Sequence, residues 1–191
     1  MRVIAGSVGG RRLVAPPGAT TRPTSDRVRE ALFSILGPPP EGARVLDLFA
    51  GAGALGIEAL SRGAAAAVFV DSSRAAWRCL RRNLEDLGLV EVSEIHLGDA
   101  VRFAERLARE AAGTSRAPFH WIFLDPPYAA GLADRALAAL GGAPVLAPGG
   151  ALVVEHDRRS PPRQRHGSLV KADGRRYGDT ELTFYRRDDA G

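Results

Sequence analysis

The residues best equipped for chemistry are Asp125-Pro126-Pro127-Tyr128. They follow Trp121-Ile122-Phe123-Leu124, an apolar run that reads as a buried strand. Neither proline can donate a backbone hydrogen bond, and each fixes its own φ. The residue before a proline is held extended. The turn is therefore rigid, with its carbonyls held outward. A carboxylate, a fixed carbonyl and a flat ring suit the gripping of a planar amino group on a base. Asp125 would accept one N–H, the Pro126 carbonyl the other, and Tyr128 would stack on the ring. Two such bonds favour a pyramidal nitrogen, which frees a lone pair otherwise delocalised into the base. The bland alternatives are a strand-end turn acid for Asp125 and a core tyrosine for Tyr128.

An activated amine needs something to attack, and the chain offers a cradle upstream. Val45-Leu46-Asp47-Leu48-Phe49 is a short apolar strand carrying an acid. Ala50-Gly51-Ala52-Gly53-Ala54-Leu55-Gly56 follows, and then a helical pattern. Strand, glycine-rich turn and helix is the setting in which such a loop binds a nucleotide-like ligand. Gly51 and Gly53 would let the backbone approach it closely; Gly56 reads as a helix-packing glycine. The next strand ends at Asp71, twenty residues after Gly51, with Ser72 beside it. An acid there can accept both hydroxyls of a ribose. Asp47 either orders the loop or meets the ligand's amino group. Alone, this constellation fits a nicotinamide cofactor as well as a methyl donor. The proline corner favours the methyl donor, because a dehydrogenase has no use for a grip on an exocyclic amine.

The order Asp47, Gly51-Ala52-Gly53, Asp71, Asp99, Asp125-Pro126-Pro127-Tyr128 resembles the S-adenosylmethionine-dependent amino-methyltransferases. Two further stretches, Arg22-Pro23-Thr24-Ser25-Asp26-Arg27-Val28-Arg29-Glu30 and Arg176-Tyr177-Gly178-Asp179-Thr180, are similar to the RsmD family. The likeness runs from about Arg2 to Arg187. It implies methylation of the exocyclic N2 of a guanine in bacterial small-subunit ribosomal RNA, alone or within an assembling subunit, with S-adenosyl-L-methionine as cofactor. It also implies that Asp99, with Ala100, meets the donor's adenine. The segment bearing Arg22, Thr24, Arg27 and Arg29 is expected to close over the site, and Tyr177 to touch RNA. An Asp26–Arg29 ion pair one helical turn apart is the plainer reading of part of that segment. The corner motif alone leaves open an adenine-N6 methyltransferase acting on RNA or DNA, though 191 residues leave no room for a separate target-recognition domain. A catalytically silent RNA-binding assembly factor is the reading from outside the enzymes.

These residues must be positioned by something. Short β-rich runs at 43–48, 67–70, 92–97, 120–125 and 151–155 alternate with helical patterns at 54–62, 73–87, 100–112 and 131–141. Ser168-Leu169-Val170 and Leu182-Thr183-Phe184-Tyr185 follow as an antiparallel pair. The expectation is an α/β, Rossmann-like class I methyltransferase fold. It has a mostly parallel, seven-stranded twisted sheet, helices on both faces, an antiparallel C-terminal edge and a small N-terminal arm. Asp47, Asp71, Asp99 and Asp125 would then share the rim over the strand C-termini. Residues 1–40 read as arm and first helix, and 41–187 as the methyltransferase domain. Within the arm, residues 1–22 look hairpin-like, and a helix starts near Thr24-Ser25. Residues 157–166 read as a surface loop.

Composition narrows the classes further. With 45% hydrophobic residues and no apolar run near the roughly 18 that a membrane span needs, neither a membrane segment nor a signal-peptide core is expected. One cysteine, Cys79, cannot form an internal disulfide, so a cytoplasmic protein is expected. Histidine, cysteine and acid spacings suggest no metal site. No coiled-coil stripe asks for a partner copy, so a monomer is expected. The net charge is +4, and 25 of the 26 basic residues are arginine. Arginine clusters at 2–29 and 158–165 flank the candidate site and suggest a polyanionic substrate, with a solvated surface face as the alternative reading of the second.

Overall fold

The computed structural model describes residues 1–16, 25–113, 118–127 and 131–188. Its elements, in chain order, are α1 (Asp26–Leu36), β1 (Arg44–Leu48), α2 (Ala54–Ser61), β2 (Ala66–Asp71), α3 (Arg74–Leu87), β3 (Ser93–Leu97) and α4 (Ala100–Gly113). They continue with β4 (Phe119–Leu124), α5 (Leu132–Gly141), β5 (Leu146–Asp157), β6 (Arg165–His166), β7 (Leu169–Tyr177) and β8 (Thr180–Arg187). The strands form one sheet in the order β3-β2-β1-β4-β5-β8-β7-β6. The first five are parallel and the last three antiparallel. The seven expected strands are present in the expected arrangement. The strand count needs one correction: β6 adds an eighth, from the end of the stretch read as a loop.

Parallel strands buried on both faces read as continuous apolar runs, and β1, β2 and β4 do so. Alternation along β1 sends Val45 to one core and Leu46 and Leu48 to the other. The first core lies under α1, α2 and α3, where Phe33 meets the edges of Trp121 and Phe123 at 5.9 and 5.7 Å. The second lies under α4 and α5. Ser25 and Ser73 cap α1 and α3, their hydroxyls accepting from the Val28 and Ala76 N–H groups.

The arm is a hairpin. Arg2 and Arg12 form an antiparallel bridge, and Val3 N–H donates to the Arg11 carbonyl at 2.9 Å. Val3 and Leu13 join the first core. The arm docks on α2 through polar anchors as well. Buried Glu58 accepts from Ile4 N–H (2.6 Å), Ala5 N–H (3.1 Å) and Arg62 Nε (2.7 Å). Ser61 Oγ accepts from Val8 N–H and donates to the Ala5 carbonyl. Gly6 lies so close that an added Cβ would sit 1.8 Å from the Ser61 carbonyl oxygen.

Candidate active site

Because β1 lies between β2 and β4, consecutive crossovers leave in opposite directions, and a crevice opens above their C-terminal ends. Leu48 pairs with Val70 on one side and with Leu124 on the other. Asp71 and Asp125 are the next residues on their strands, so they flank Phe49. At about 4.8 Å per strand spacing, their backbones lie roughly 10 Å apart. Phe49 has φ 65° and is the only non-glycine with positive φ among the described residues. A left-handed backbone costs an L-residue about 1–2 kcal/mol, and such strain concentrates at functional sites. Here it turns the chain sharply out of β1 and into the glycine loop.

The loop is pinned from several directions. Ala50 N–H donates to the Val70 carbonyl (3.0 Å), and Gly53 N–H to the Ala50 carbonyl (2.7 Å). Gly51 (φ 57°) and Gly53 (φ 83°) take conformations that favour glycine, for different further reasons. A Cβ on Gly53 would fall 2.4 Å from Leu80 Cδ1, so that side is filled by α3. A Cβ on Gly51 would meet nothing, so that side opens outward. Gly56 backs onto the Phe69 ring, where a Cβ would lie 2.2 Å from Cε1.

The four acids do different things. Asp71 Oδ2 accepts from Gly51 N–H (2.8 Å), and Oδ1 from Ser73 N–H (2.7 Å). Each oxygen keeps a lone pair for a further donor. Ser72 beside it is exposed. Asp99 is exposed and caps α4 through Arg102 N–H (2.8 Å), while Ala100 is buried beneath it. Asp47 is 2% exposed, and its Oδ2 accepts from Gly56 N–H at 2.9 Å. Burial, reinforced by the charge of Asp71, pushes its carboxyl up to about 7 against the opposing Gly56 hydrogen bond. This bond ties the end of β1 to the first turn of α2. Asp125 is half-buried, Pro126 buried and Pro127 exposed; Tyr128 lies outside the described residues.

A family model described as "Conserved hypothetical protein 95" matches residues 1–186. A Bacillus subtilis (strain 168) protein, YlbH, provisionally described as an rRNA methyltransferase, is 40% identical over 187 residues, covering 98% of this chain and 99% of its own. Ribosomal RNA small subunit methyltransferase D of Escherichia coli (strain K12) is 41% identical over 140 residues, covering 73% of this chain and 66% of its own. The solved structure of Escherichia coli YhhF, provisionally described as a methyltransferase, superposes with a TM-score of 0.82 at 32% identity over 98% of both chains. The chain belongs to the RsmD family.

In this RsmD-family chain Asp71 bonds directly to Gly51. The expected substrate-side residues are more scattered. Arg27 is exposed in the first turn of α1. Arg29 is fully buried, its Nη2 donating to the Arg2 carbonyl (2.6 Å) and pairing with Asp26 (2.7 Å). It fastens the arm to α1 and presents no side chain to solvent. Tyr177 is half-buried at the end of β7 and packs against the first core. Arg22 and Thr24 lie outside the described residues. His156 is buried. Its Nδ1 donates to the Asp157 carbonyl, and its Nε2 lies 2.8 Å from Thr183 Oγ1. Among the described residues no group of three histidine, cysteine or acidic side chains could hold a metal, and no helix is long and apolar enough to cross a membrane.

The sequence reading missed Asn83. It lies on the buried stripe of α3 with Ala76, Leu80, Leu84 and Leu87. A polar residue on such a stripe must find its hydrogen bonds inside the protein, and that was the available signal.

The loop and its acids fit a nucleoside-bearing sulfonium donor. Gly51 leaves room for close approach, Asp71 keeps lone pairs for hydroxyls, and Asp99 stands exposed at the neighbouring strand end.

Proposed function

We propose that the protein transfers a methyl group from S-adenosyl-L-methionine to the exocyclic N2 of a guanine in small-subunit ribosomal RNA. The observation that carries this reading is the placement of Asp71 and Asp125 on either side of Phe49. A donor cradle and an amine grip then open onto one crevice. The names of the relatives support ribosomal RNA as the acceptor, and the resemblance at Arg22–Glu30 and Arg176–Thr180 supports guanine N2.

Asp71 would hold the donor's ribose, the Gly51–Gly53 backbone its main body, and Asp99 with Ala100 its adenine. When bound, the donor supplies an electrophilic methyl on a positively charged sulfur. Asp125 accepts one N–H of the base, and the Pro126 carbonyl accepts the other. The prolines hold both acceptors in place before the base arrives, so little reorganisation is needed. Positioning of this kind contributes several kcal/mol. The Asp125 carboxylate also stabilises positive charge developing on nitrogen, an effect worth about 3–4 kcal/mol in comparable sites. It need not be a strong base, because the methylated ammonium sheds its proton readily. Tyr128 stacks on the base, worth roughly 1–3 kcal/mol. Arg27 and Tyr177 supply contacts to the surrounding RNA.

Asp125→Ala should lower turnover by about 10²–10³-fold while donor affinity, measured calorimetrically, stays within threefold. Mass mapping of ribosomal RNA from cells lacking the gene should reveal one missing guanine N2 methyl. Loss of an adenine methyl instead would replace the substrate assignment, and an undiminished Asp125→Ala enzyme would overturn the mechanism.

A further inference from the structure

Glu155 is a carboxylate that the mechanism above does not use, and it stands one strand away from the amine grip. Leu124 of β4 pairs in parallel with Val154 of β5. Asp125 and Glu155 are the next residues on those two chains, and Pro126 keeps Asp125 extended. Their backbones therefore lie about 4.8 Å apart. Side chains alternate along a strand. Phe123 and Val153, two residues earlier, both belong to the first core. Asp125 and Glu155 thus rise from the same face, at the rim of the crevice. On its other side Glu155 pairs with Leu182, whose side chain has no polar atom.

Glu155 is 7% exposed, and Asp125 is half-buried. An acid buried beside another acid costs free energy unless donors reach both. A guanine held in the grip brings those donors. Its exocyclic N2 carries two N–H groups, and ring N1 carries a third directly beside them. Asp125 and the Pro126 carbonyl take the first two in the reading above. Glu155 offers an acceptor for the third. It already has a partner within the protein, but two carboxylate oxygens provide about four acceptor positions, and N1–H needs one. Adenine presents the opposite pattern. Its amine also carries two N–H groups, yet its N1 has a lone pair and no hydrogen. A carboxylate there would face a lone pair and go unmatched.

We infer that Glu155 is a specificity-determining residue that accepts the N1–H of the target guanine while Asp125 holds the amine. The inference rests on the methyl-transfer reading. It adds to that site the discriminating contact that the proline corner lacks, because the corner alone grips either amine.

The probe is 2-aminopurine, which keeps the N2 amine of guanine but has no hydrogen on N1. Small-subunit particles are reconstituted with RNA carrying guanine or 2-aminopurine at the nucleotide that mass mapping identifies. The ratio of kcat/KM for the two is measured with radiolabelled S-adenosyl-L-methionine. The wild type should prefer guanine by about 10–100-fold. 2-Aminopurine also lacks O6, so the variants assign the preference to N1. Glu155→Gln accepts from guanine N1–H through its oxygen and donates to 2-aminopurine N1 through its nitrogen. Its preference should fall to about threefold or less, mainly by gain on 2-aminopurine. Glu155→Ala offers neither base a partner and should narrow the ratio as far, by loss on guanine. A merely structural role would lower the melting temperature and both rates together. The ratio would then keep its wild-type value, and the inference would be refuted. A wild type that methylates both bases equally well refutes it too, and methyl transfer to guanine then stands. If neither base is methylated, the guanine-N2 reading fails and this inference fails with it. The wild-type comparison needs no variant, and either variant alone decides the rest.

Discussion

Asp47→Asn isolates one charge in the floor of the site. The wild-type carboxyl is raised from the usual 3.8 to about 7, chiefly because burial penalises the anion and secondarily because Asp71 repels it. A group whose folded pKa is raised stabilises the fold most at low pH. Its contribution is complete below the unfolded value of 3.8 and is lost as pH climbs through about 7. Each unit of difference corresponds to about 1.4 kcal/mol. From pH 5 to pH 8 the wild type should therefore lose roughly 2–3 kcal/mol through this residue alone. Asparagine keeps an acceptor for the Gly56 N–H and cannot ionise. Whatever its extra N–H groups cost in that pocket is independent of pH.

The measurable quantity is the change with pH in the stability difference between variant and wild type. All other titrations are common to both proteins and cancel. Urea unfolding at pH 5 and pH 8 should show Asp47→Asn gaining on the wild type by roughly 2–3 kcal/mol, or about 4–12 °C in melting temperature for a chain of this size. Asp71→Asn adds an internal check. Removing that charge should lower the Asp47 pKa and shrink the wild-type pH slope. Parallel pH profiles for wild type and Asp47→Asn, within about 0.5 kcal/mol, would show that Asp47 is not held in a charge-penalising site.

Gly56, in the first turn of α2, and Gly51, in the loop, should separate by phenotype. Gly56→Ala drives a methyl into the Phe69 ring and should cost about 1–3 kcal/mol of stability, read by thermal unfolding. Gly51→Ala meets no atom but strains a φ of 57°; it should cost only about 1–2 kcal/mol yet weaken S-adenosylmethionine binding at least tenfold by calorimetry. Asp71→Asn should weaken the same binding by a similar factor, since the cradle loses its charged acceptor. Glu58→Ala leaves the Ile4 and Ala5 N–H groups and the Arg62 guanidinium without their buried acceptor, and should cost about 3–5 kcal/mol, with faster exchange at residues 4 and 5.

How much of this was legible depends on where each residue's constraint comes from. β1, β2 and β4 announce themselves because strands covered on both faces must be apolar throughout. The acids at their ends announce the rim. β3 is harder: as an outer strand with one neighbour it carries Ser93, Glu94 and His96, and its place was read from the alternation around it. β5 begins five residues before its expected start, because Pro148-Gly149-Gly150 reads as a turn while pairing with β4 holds Leu146 in register with Phe119. β6 had no local signal at all. Two polar residues become a strand because Gly141 packs so tightly on the chain behind them that an added Cβ would sit 1.8 Å from the His166 carbonyl oxygen, and because Leu169 and Val170 offer a partner edge.

The candidate site divides along the same line. Asp71, Gly51 and Asp125 stand out because chemistry and spacing coincide within one strand-turn-helix unit or one rigid corner. Asp47 was legible as an acid in an apolar strand, but its bond to the Gly56 N–H in α2 depends on the pleat. Arg29 resembled its neighbours in a basic segment, yet the helix rotates it inward, and the Arg2 carbonyl on a different element becomes its partner. Asn83 belongs to a third kind, since its hydrogen bonds join two segments that meet only in the fold, 69 and 31 residues away in sequence. Motif reading finds groups that act on a ligand directly. It is weak for groups that act by holding two such segments together, because their partners are backbone atoms, which leave no residue-type signature. Their one trace in the sequence is a polar side chain on an apolar helical stripe, where the cost of burial requires that it hold something.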